Sequence, residues 1–325
     1  MSVSTATPTV EQARATLNMG SSPRRPNRSA YWYLAPVVIS ALIFTIVPFV
    51  FTLYISFTNY NKLANFASFN WVGLRNYSKV LTGGSEFFPL IGWTAFWMIA
   101  TTLINVGIGM ALALLLNHPG IPERNIYRTL LIIPWALPFI LLVQVWTGIF
   151  QAQGPVNKIL SDLNLDRVSW LPTQGDATAP RIVLFLVNLW FTYPFFMTVG
   201  LAALQAIPRD LYEVADLDGA GGFQRLRDIT FPFLLTAITP LIITQAAFQF
   251  NNAGIIILLT DGNPAGKPGA LWGKTDTLAS YAYELFYGRA GNYGLAAAYS
   301  IVTFFIIAAL TVISSTVTRS FKEAD

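Results

Sequence analysis

Residues 207–232 read IPRDLYEVADLDGAGGFQRLRDITFP and lie between two long apolar segments. Pro208 suits the first position of a helix, and Glu213 complements the positive end of the helix dipole. Gly219 suits the left-handed conformation in which a helix commonly ends. A second amphipathic stretch follows and ends at Pro232. The segment therefore predicts two short helices, joined by a glycine turn, that project from a bilayer. A solvated hairpin at the membrane surface would carry the same pattern.

Six apolar runs flank this segment, each long enough to cross about 30 Å of hydrocarbon as a helix. The chain of 325 residues is 54% hydrophobic and only 11% charged, which excludes a water-soluble fold of this size. The sequence predicts an all-α, polytopic membrane protein with six transmembrane helices. The predicted spans are 31–57, 88–116, 129–150, 182–206, 233–259 and 293–318.

The two ends of the chain are polar. Residues 1–30 are rich in Ser, Thr, Pro and Arg without apolar periodicity, so they predict a disordered tail, and residues 319–325 form a second short tail. An even number of spans places both termini on one side. With the termini in the cytoplasm, the density of Lys and Arg is higher in the cytoplasmic loops, because the external loops are longer. We therefore expect both tails and residues 207–232 to be cytoplasmic.

The composition also limits the chemistry. The chain has no Cys, and His118 is its single His. This excludes thiol nucleophiles, thiolate metal sites and histidine metal clusters. The net charge of +4 is typical of basic residues at a membrane surface rather than of a nucleic-acid partner. We expect no catalytic residue, no metal site and no nucleic-acid binding in this chain.

Several predicted spans contain proline, which removes a backbone donor and tends to bend a helix. As a group these prolines suggest helices bent around a cavity, although membrane helices routinely tolerate single prolines. They are Pro48, Pro134, Pro138, Pro194 and Pro240.

The fifth predicted span has an unusually polar face for a helix without charges. Four residues at the spacing i, i+3, i+4, i+7 share this face: Gln245, Phe248, Gln249 and Asn252. Carboxamides in hydrocarbon need partners, which other helices supply at about 0.6 kcal/mol per contact. The same groups suit a saccharide, because amides bind hydroxyls and an aromatic face suits the C–H face of a sugar ring. On the residues alone, both interpretations stay open.

The fourth predicted span adds aromatic residues beside Pro194. Phe191 and Phe195 lie on one face, and Thr192 is next to them. Aromatic stripes more often face lipid or a core than a ligand, so this face alone indicates only a candidate second wall of a site.

Residues 213–232 resemble the EAA loop in the permeases of binding-protein-dependent ABC importers. The motif consists of Glu213-Val214-Ala215, Asp218-Gly219-Ala220, Phe223, Ile229 and Pro232. It departs from the family pattern at Val214 and Phe231, and at each position one apolar residue replaces another. The resemblance implies the type I importer permease fold, with a transmembrane permease domain over 31–318 and a coupling helix that docks on a cytoplasmic ATPase. The implied docking residues are Glu213, Ala215, Asp218 and Gly219.

Further stretches resemble the maltose/maltodextrin (MalF-like) group of that family. They are the W-x-x-Y-P pattern at 190–194, FQFNN at 248–252, LLTDGNP at 258–264 and YGLAAA at 293–298. The sugar contacts that the group implies are Phe191, Thr192, Phe195, Gln245, Phe248, Gln249 and Asn252. The chain departs from the enteric maltose protein in lacking further N-terminal spans and a large external domain, which 151–181 replaces. Gln245 and Gln249 also replace smaller or shorter polar residues.

The resemblance implies one subunit of a larger importer in the cell inner (plasma) membrane. The implied partners are membrane lipid, a sugar substrate, a second permease (MalG-like), two ATP-binding cassette subunits and an extracytoplasmic solute-binding protein. ATP and Mg would bind to the cassette subunits. Two near-matches to a phosphate loop, at 262–268 and 269–275, are one residue short and follow no strand. We therefore expect this chain to hold no cofactor and to be no enzyme.

The leading hypothesis is import of a neutral oligosaccharide, either maltose, maltodextrin or a trehalose-like sugar. An ion-coupled secondary transporter would require carboxylates within the spans or an inverted repeat, and the sequence shows neither. An importer of another polyol or of glycerol-phosphate is a second alternative. A phosphorylated cargo would call for Arg or Lys facing the cavity, and no predicted span supplies one.

Overall fold

The computed structural model describes residues 29–63, 69–82, 86–288 and 291–322, without the side chains of 29–31 and 315–322. Most of the two predicted tails, 1–28 and 323–325, lies outside the described residues. The first helix begins at Ser29, and the last helix ends at Lys322. The chain divides into two compact units, Met1–Thr52 and Leu53–Asp325.

A π-helical turn interrupts the first helical run. This run consists of α1 (Ser29–Ala41), the turn Leu42–Ile46 and α2 (Val47–Ser56). The N–H of Val47 bonds to the carbonyl of Leu42, which is the wider spacing of a π turn. This turn directly precedes Pro48, whose ring would clash with a carbonyl in a regular α-helical turn. The local widening therefore lets the helix continue through a proline.

The second unit is built from helices and loops. Among its described residues, the only extended pairings are two isolated bridges, Thr58 with Trp71 and Ala265 with Gly273. The all-α prediction is confirmed. The helices are α3 (Arg75–Leu81), α4 (Phe87–Asn117), α5 (Arg124–Ala136), α6 (Phe139–Ile149), α7 (Pro155–Asp162), α8 (Thr178–Ala206), α9 (Arg209–Leu217), α10 (Gly222–Arg225), α11 (Phe231–Phe250), α12 (Gly254–Leu259), α13 (Leu278–Tyr287) and α14 (Tyr293–Lys322).

The helices have the length and composition of a polytopic membrane protein, as predicted. Among the described residues, five helices are long and apolar enough to cross a membrane, and α5 with α6 makes a sixth span if the bent pair counts as one. The five are Trp32–Ser56, Phe87–Asn117, Thr178–Ala206, Gly222–Phe250 and Tyr293–Ser314.

The third span differs from the single helix predicted over 129–150. α5 ends at Ala136, and the axes of α5 and α6 differ by 93°. Leu137 between them is extended, with φ −94° and ψ 152°. Because Pro138 follows, its ring disfavours a helical conformation at Leu137 and directs the chain away from α5.

The fifth span differs at both ends from the predicted 233–259. Its α-helix stops at Phe250, and α12 is a separate short helix. At the other end the helix does not end at Pro232, as the pattern predicted, but is continuous from Gly222 to Phe250. A second π turn, Leu226–Thr230, precedes Pro232, with the N–H of Phe231 bonded to the carbonyl of Leu226. The wider turn accommodates the proline ring.

α4 and α8 pack closely against each other in the second unit. A Cβ at Gly109 of α4 would lie 2.5 Å from the Cβ of Phe196, and a Cβ at Gly200 of α8 would lie 2.7 Å from the Cε of Met110. Small residues at such crossings allow membrane helices to approach. Two buried apolar clusters lie along α8, one around Val183 and the other around Leu204.

Candidate substrate cavity and coupling segment

A cavity of about 420 Å³ lies beside the break between α5 and α6, where α8, α11 and α12 complete its wall. Its volume falls within the range of roughly 300–1,000 Å³ that is usual for small-molecule sites. All the predicted sugar-contact residues except Gln249 line it. The lining consists of Pro134, Trp135, Leu137, Phe139, Asn188, Phe191, Thr192, Phe195, Gln245, Phe248, Asn252 and Ile255.

Aromatic rings from three helices, α5, α6 and α8, meet on one side of the cavity. The ring centroids of Phe139 and Phe191 are 5.0 Å apart, and those of Trp135 and Phe195 are 6.3 Å apart. Phe248 is 61% exposed, although it lies within an apolar helix. The break after α5 brings Trp135 and Phe139 to the aromatic residues of α8, so the bend itself builds this wall.

The remaining lining groups are neutral and polar. Amides come from Asn188, Gln245 and Asn252, and a hydroxyl comes from Thr192. The lining contains no charged side chain. Such a surface offers hydrogen-bond donors and acceptors together with aromatic faces, which is the chemistry of a neutral, hydroxyl-rich ligand.

Gln249 faces away from the cavity and is fully buried. It exchanges hydrogen bonds with Asn188: the Asn188 Nδ2 donates to Oε1 at 3.2 Å, and the Gln249 Nε2 donates to Oδ1 at 3.4 Å. The amide of Asn105 donates to the same Oδ1 of Asn188 at 2.9 Å. The network therefore joins α4, α8 and α11, which is the interhelical alternative that the sequence left open.

Helical geometry explains why the polar face of α11 is divided. At about 100° per residue, Phe248 and Gln249 lie about 100° apart around the helix, with Gln245 and Asn252 between them. Phe248 therefore faces the cavity, whereas Gln249 faces α4 and α8. Spacing along the sequence therefore defines a face that is too broad to show which residues contact the cavity and which contact another helix.

Sequence reasoning did not identify Asn105 and Asn188. Asn188 both lines the cavity and holds Gln249, and Asn105 is fully buried beneath it. The available signal was an uncharged amide within an otherwise apolar predicted span, since a carboxamide in hydrocarbon requires a partner. Among the described residues, no group of His, Cys, Asp or Glu is arranged to hold a metal ion.

The coupling segment, residues 207–230, begins at the end of α8. Gly219 has φ +75°, the left-handed conformation that the sequence predicted. The N–H of Gly219 bonds to the carbonyl of Asp216 at 3.1 Å, and the N–H of Ala220 bonds to that of Ala215 at 2.9 Å. This pair is a Schellman motif, which ends α9 and reverses the chain. The amide of Gly221 then bonds to the Oε1 of Gln224 at 2.9 Å, at the beginning of α10.

Side chains hold the hairpin together and attach it to the long helices. Within the hairpin, the hydroxyls of Tyr212 and Thr230 are 2.9 Å apart, and the Arg225 guanidinium pairs with the Asp216 carboxylate. Tyr212 and Ile229 also pack on the apolar cluster that contains Leu204. The hairpin is thus tied to α8 on one side and to α11 on the other.

The opposite face of the hairpin is exposed. Glu213, Asp218 and Gly219 of the predicted docking set are exposed, and Ala215 is half-buried. Large apolar side chains surround them: Val214 is 57%, Leu217 89% and Phe223 75% exposed. An exposed apolar patch of this kind, with charged residues around it, is typical of a protein interface.

Comparisons with known proteins confirm the resemblance found in the sequence. The family model described as "Binding-protein-dependent transport system inner membrane component" matches residues 104–323. The chain is 35% identical over 301 residues to the galactooligosaccharides transport system permease protein GanP of Bacillus subtilis, which covers 89% of this chain and 71% of that protein. It is 32% identical over 304 residues to the maltodextrin transport system permease protein MdxF of the same organism, with 90% and 69% covered.

A solved structure has the same fold. In the crystal structure of a bacterial ABC transporter involved in the import of the acidic polysaccharide alginate, one chain superposes with a TM-score of 0.76 and 23% identity. The match covers 95% of this chain and 99% of that one. The family match over most of its length shows that the chain belongs to the family of inner membrane components of binding-protein-dependent transport systems.

Proposed function

We propose that the chain is the permease subunit of an ATP-driven importer for a neutral oligosaccharide of the maltodextrin or galactooligosaccharide class. The observation that carries this proposal is the cavity beside the α5–α6 break, with aromatic, hydroxyl and carboxamide groups and no charged side chain. A phosphorylated or acidic cargo would call for Arg or Lys in the lining. An ion-coupled carrier would call for a carboxylate there. The names of relatives such as GanP and MdxF support the same class of cargo.

Sugar binding in this proposal uses two kinds of contact. The rings of Phe191 and Phe248 present apolar faces to the C–H face of a pyranose, and Gln245 and Asn252 exchange hydrogen bonds with its hydroxyls. Thr192 adds a hydroxyl that both donates and accepts. Each contact is neutral, so recognition depends on shape and on the pattern of hydroxyls.

Coupling follows from the attachment of the hairpin to two of the helices that line the cavity. Thirteen residues of α8 separate Leu204 from Phe191, which is about 20 Å of helix. A displacement of the hairpin is therefore transmitted along α8 and α11 to Phe191, Phe195, Gln245 and Phe248. α5 and α6 carry another part of the lining and are not continuous with the hairpin, so the cavity would change shape.

The proposed assembly contains a second permease (MalG-like), two ATP-binding cassette subunits that hold ATP and Mg, and an extracytoplasmic solute-binding protein. The coupling segment and both termini are cytoplasmic in this proposal, because the hairpin must reach the cassette subunits. The family description, which names binding-protein-dependent transport and the inner membrane, supports this arrangement.

The test is a reconstituted complex of this chain with its partner permease, cassette subunits and binding protein. We expect neutral oligosaccharides such as maltotriose or galactotriose to stimulate ATP hydrolysis, and glycerol-phosphate and acidic oligosaccharides to have no effect. Purification of the chain alone or as a homo-oligomer under mild conditions would contradict the importer assembly. Stimulation only by anionic cargo would contradict the neutral-sugar proposal.

A further inference from the structure

A second cavity, of about 330 Å³, lies near the beginning of α8. It is formed by the end of α6, the segment that precedes α8, the end of α12 and the residues that follow α12. Trp170 and Leu171 of its lining pack on the apolar cluster around Val183, whereas the coupling segment leaves the other end of α8. If the coupling segment is cytoplasmic, this outer cavity is therefore extracytoplasmic.

One wall of the outer cavity is a rigidly held aromatic pair. The rings of Phe150 and Trp170 meet edge to face, with centroids 5.6 Å apart. The indole Nε1 of Trp170 donates to the Oδ1 of Asn157 at 3.2 Å. The buried Asn157 also donates to the carbonyl of Val168 at 2.9 Å and accepts from its N–H at 3.0 Å. The indole is thus fixed before any ligand arrives.

The rest of the lining offers polar side chains that are not otherwise engaged. Among the described residues, no hydrogen bond is formed by the side chains of Gln151, Ser169, Asp261 and Asn263, all of which line this cavity. The hydroxyl of Thr260, in contrast, already donates to the carbonyl of Ile256. A carboxylate, two amides and a hydroxyl beside a fixed indole are the groups that recognise a pyranose ring.

The backbone holds Asp261 in a specific position. It has φ +50°, unusual for a residue with a Cβ, and is followed by Gly262 with φ +74°. Its N–H bonds to the carbonyl of Ile256 at 2.9 Å. The carboxylate is the only charged group in the lining, so the cavity disfavours anionic ligands and accepts hydrogen bonds from neutral hydroxyls.

Two short helices line both cavities. Phe139 of α6 lines the inner cavity, and Thr147 lines the outer one. On α12, Ile255 lines the inner cavity and Leu259 the outer one. Eight residues of α6 separate the two linings, about 12 Å at 1.5 Å per residue. This is a distance that an oligosaccharide of a few rings can span.

We propose that the outer cavity is a second carbohydrate subsite, which holds one ring of a neutral oligosaccharide outside the inner cavity. The proposal rests on the proposed function, because it takes the cargo class and the orientation from there. Its role is to bind the trailing end of a longer oligosaccharide while the leading end occupies the inner cavity.

The absence of Cys from the chain allows a direct test. In the assembled complex, Ser169→Cys places one thiol in the outer cavity, and Ser161→Cys places one on exposed α7 outside its lining. We expect maltohexaose, or galactotetraose in a parallel series, to slow maleimide labelling of the first thiol and not of the second. At ten times the dissociation constant, mass action predicts protection of about tenfold. Intact mass of this chain gives the labelled fraction.

A second variant tests the carboxylate. Asp261→Asn keeps a residue type that tolerates the left-handed backbone, and it removes the charge. In the Ser169→Cys background, we expect it to raise the half-protecting sugar concentration about tenfold, because hydrogen bonds to charged groups are the stronger ones. Asp162→Asn, an exposed residue of α7 outside the lining, is the matched control and should leave this concentration unchanged.

Three results would overturn the subsite. The first is an unchanged labelling rate at Ser169→Cys in the presence of a sugar that stimulates ATP hydrolysis in the same complex. This result would refute the subsite and leave the proposed function intact. Protection of Ser161→Cys as strong as that of Ser169→Cys shows an effect that is not local to the outer cavity and also removes the subsite. Absence of stimulation by any neutral oligosaccharide refutes the proposed function itself, and the subsite with it.

Discussion

Gln245 and Gln249 lie one helical turn apart in α11, yet their surroundings differ. Gln245 lines the inner cavity, whereas Gln249 is buried and bonds to Asn188. A buried amide that loses its partner costs about 1–3 kcal/mol, while a cavity-facing amide can be replaced without such a loss. These two residues therefore separate the lining of the inner cavity from helix association.

We predict that Gln249→Leu lowers the thermal unfolding midpoint of the complex, because the buried Nδ2 of Asn188 loses its acceptor. Gln245→Leu should leave that midpoint unchanged and reduce sugar-stimulated ATP hydrolysis severalfold. Thermal unfolding and ATP hydrolysis on the same preparations provide both measurements. Equal destabilisation by the two variants would contradict the division of this face. The sugar contact predicted for Gln249 stays a prediction.

Asp276 is a buried carboxylate in the loop before α13. It accepts hydrogen bonds from the N–H of Gly273 and the hydroxyl of Ser280, both at 2.7 Å. Burial raises its pKa to about 6 from 3.8, and the nearby carboxylates of Glu284 and Asp261 act in the same direction. Because the folded pKa is the higher one, the contribution of this group to stability is fully present below about pH 4 and is lost as pH rises through about 6.

We therefore predict that unfolding of the loop before α13 becomes easier as pH rises from about 4 to about 6. A pKa difference of about two corresponds to at most about 3 kcal/mol. Hydrogen exchange of residues 260–280 at several pH values measures this, and Asp276→Asn should flatten the dependence over that interval. An unchanged pH dependence in the variant would assign the effect to another group.

At the scale of elements, the coupling segment depends on one left-handed residue. Gly219 has open space where a Cβ would stand, but its φ of +75° strains any residue that carries one. Gly222 also has open space, and its φ lies outside the left-handed region. The two glycines thus differ in conformation and not in crowding.

We predict that Gly219→Ala destabilises the α9–α10 turn by about 1–2 kcal/mol and weakens binding of the cassette subunits. Gly222→Ala is the matched control and should have little effect on either. Hydrogen exchange in 209–225 and co-purification of the cassette subunits measure the two properties. Equal effects of both substitutions would mean that the turn conformation is not what docking requires.

At the scale of the whole molecule, the exposed hairpin and the inner cavity are linked through α8 and α11. The side chain of Glu213 is exposed and forms no hydrogen bond among the described residues, so the fold does not need this side chain. We predict that Glu213→Ala reduces sugar-stimulated ATP hydrolysis about tenfold, a typical result when a charged side chain is removed from an interface. The unfolding midpoint should not change.

Asp210→Ala removes another exposed carboxylate from the same helix and serves as the control for charge. It should retain most of the stimulated activity if docking depends on the position of Glu213. Stimulated hydrolysis at the normal rate in Glu213→Ala, with the cassette subunits still bound, would refute the coupling role of this residue.

Much of the architecture could be predicted because it depends on local properties. The length of apolar runs predicts spans, since about 20 apolar residues are needed to cross the bilayer as a helix. The glycine at position 219 predicts a left-handed helix end, since the ability of glycine to adopt positive φ does not depend on distant residues. The proline pattern suggested bends, but it did not distinguish Pro138, which breaks the third span, from Pro232, which a π turn accommodates.

The candidate site was predicted in composition but not in arrangement. Spacing placed Gln245, Phe248, Gln249 and Asn252 on one face, and only packing separated Gln249 from the others. Asn105 and Asn188 belong to helices far from α11 in sequence. No periodicity within one helix reports such a contact, since it depends on which helices are neighbours.

The sequence by itself determined the all-α membrane class, the hairpin of residues 207–230 and the neutral character of the candidate site, because run length, capping and residue type act within a few residues. The tertiary structure decided where α5 and α6 bend, which amides face the cavity and which face another helix, and that a second cavity lies beyond the first. These features depend on contacts between segments distant in sequence. The free energy of such a contact depends on both segments together and cannot be read from either one alone.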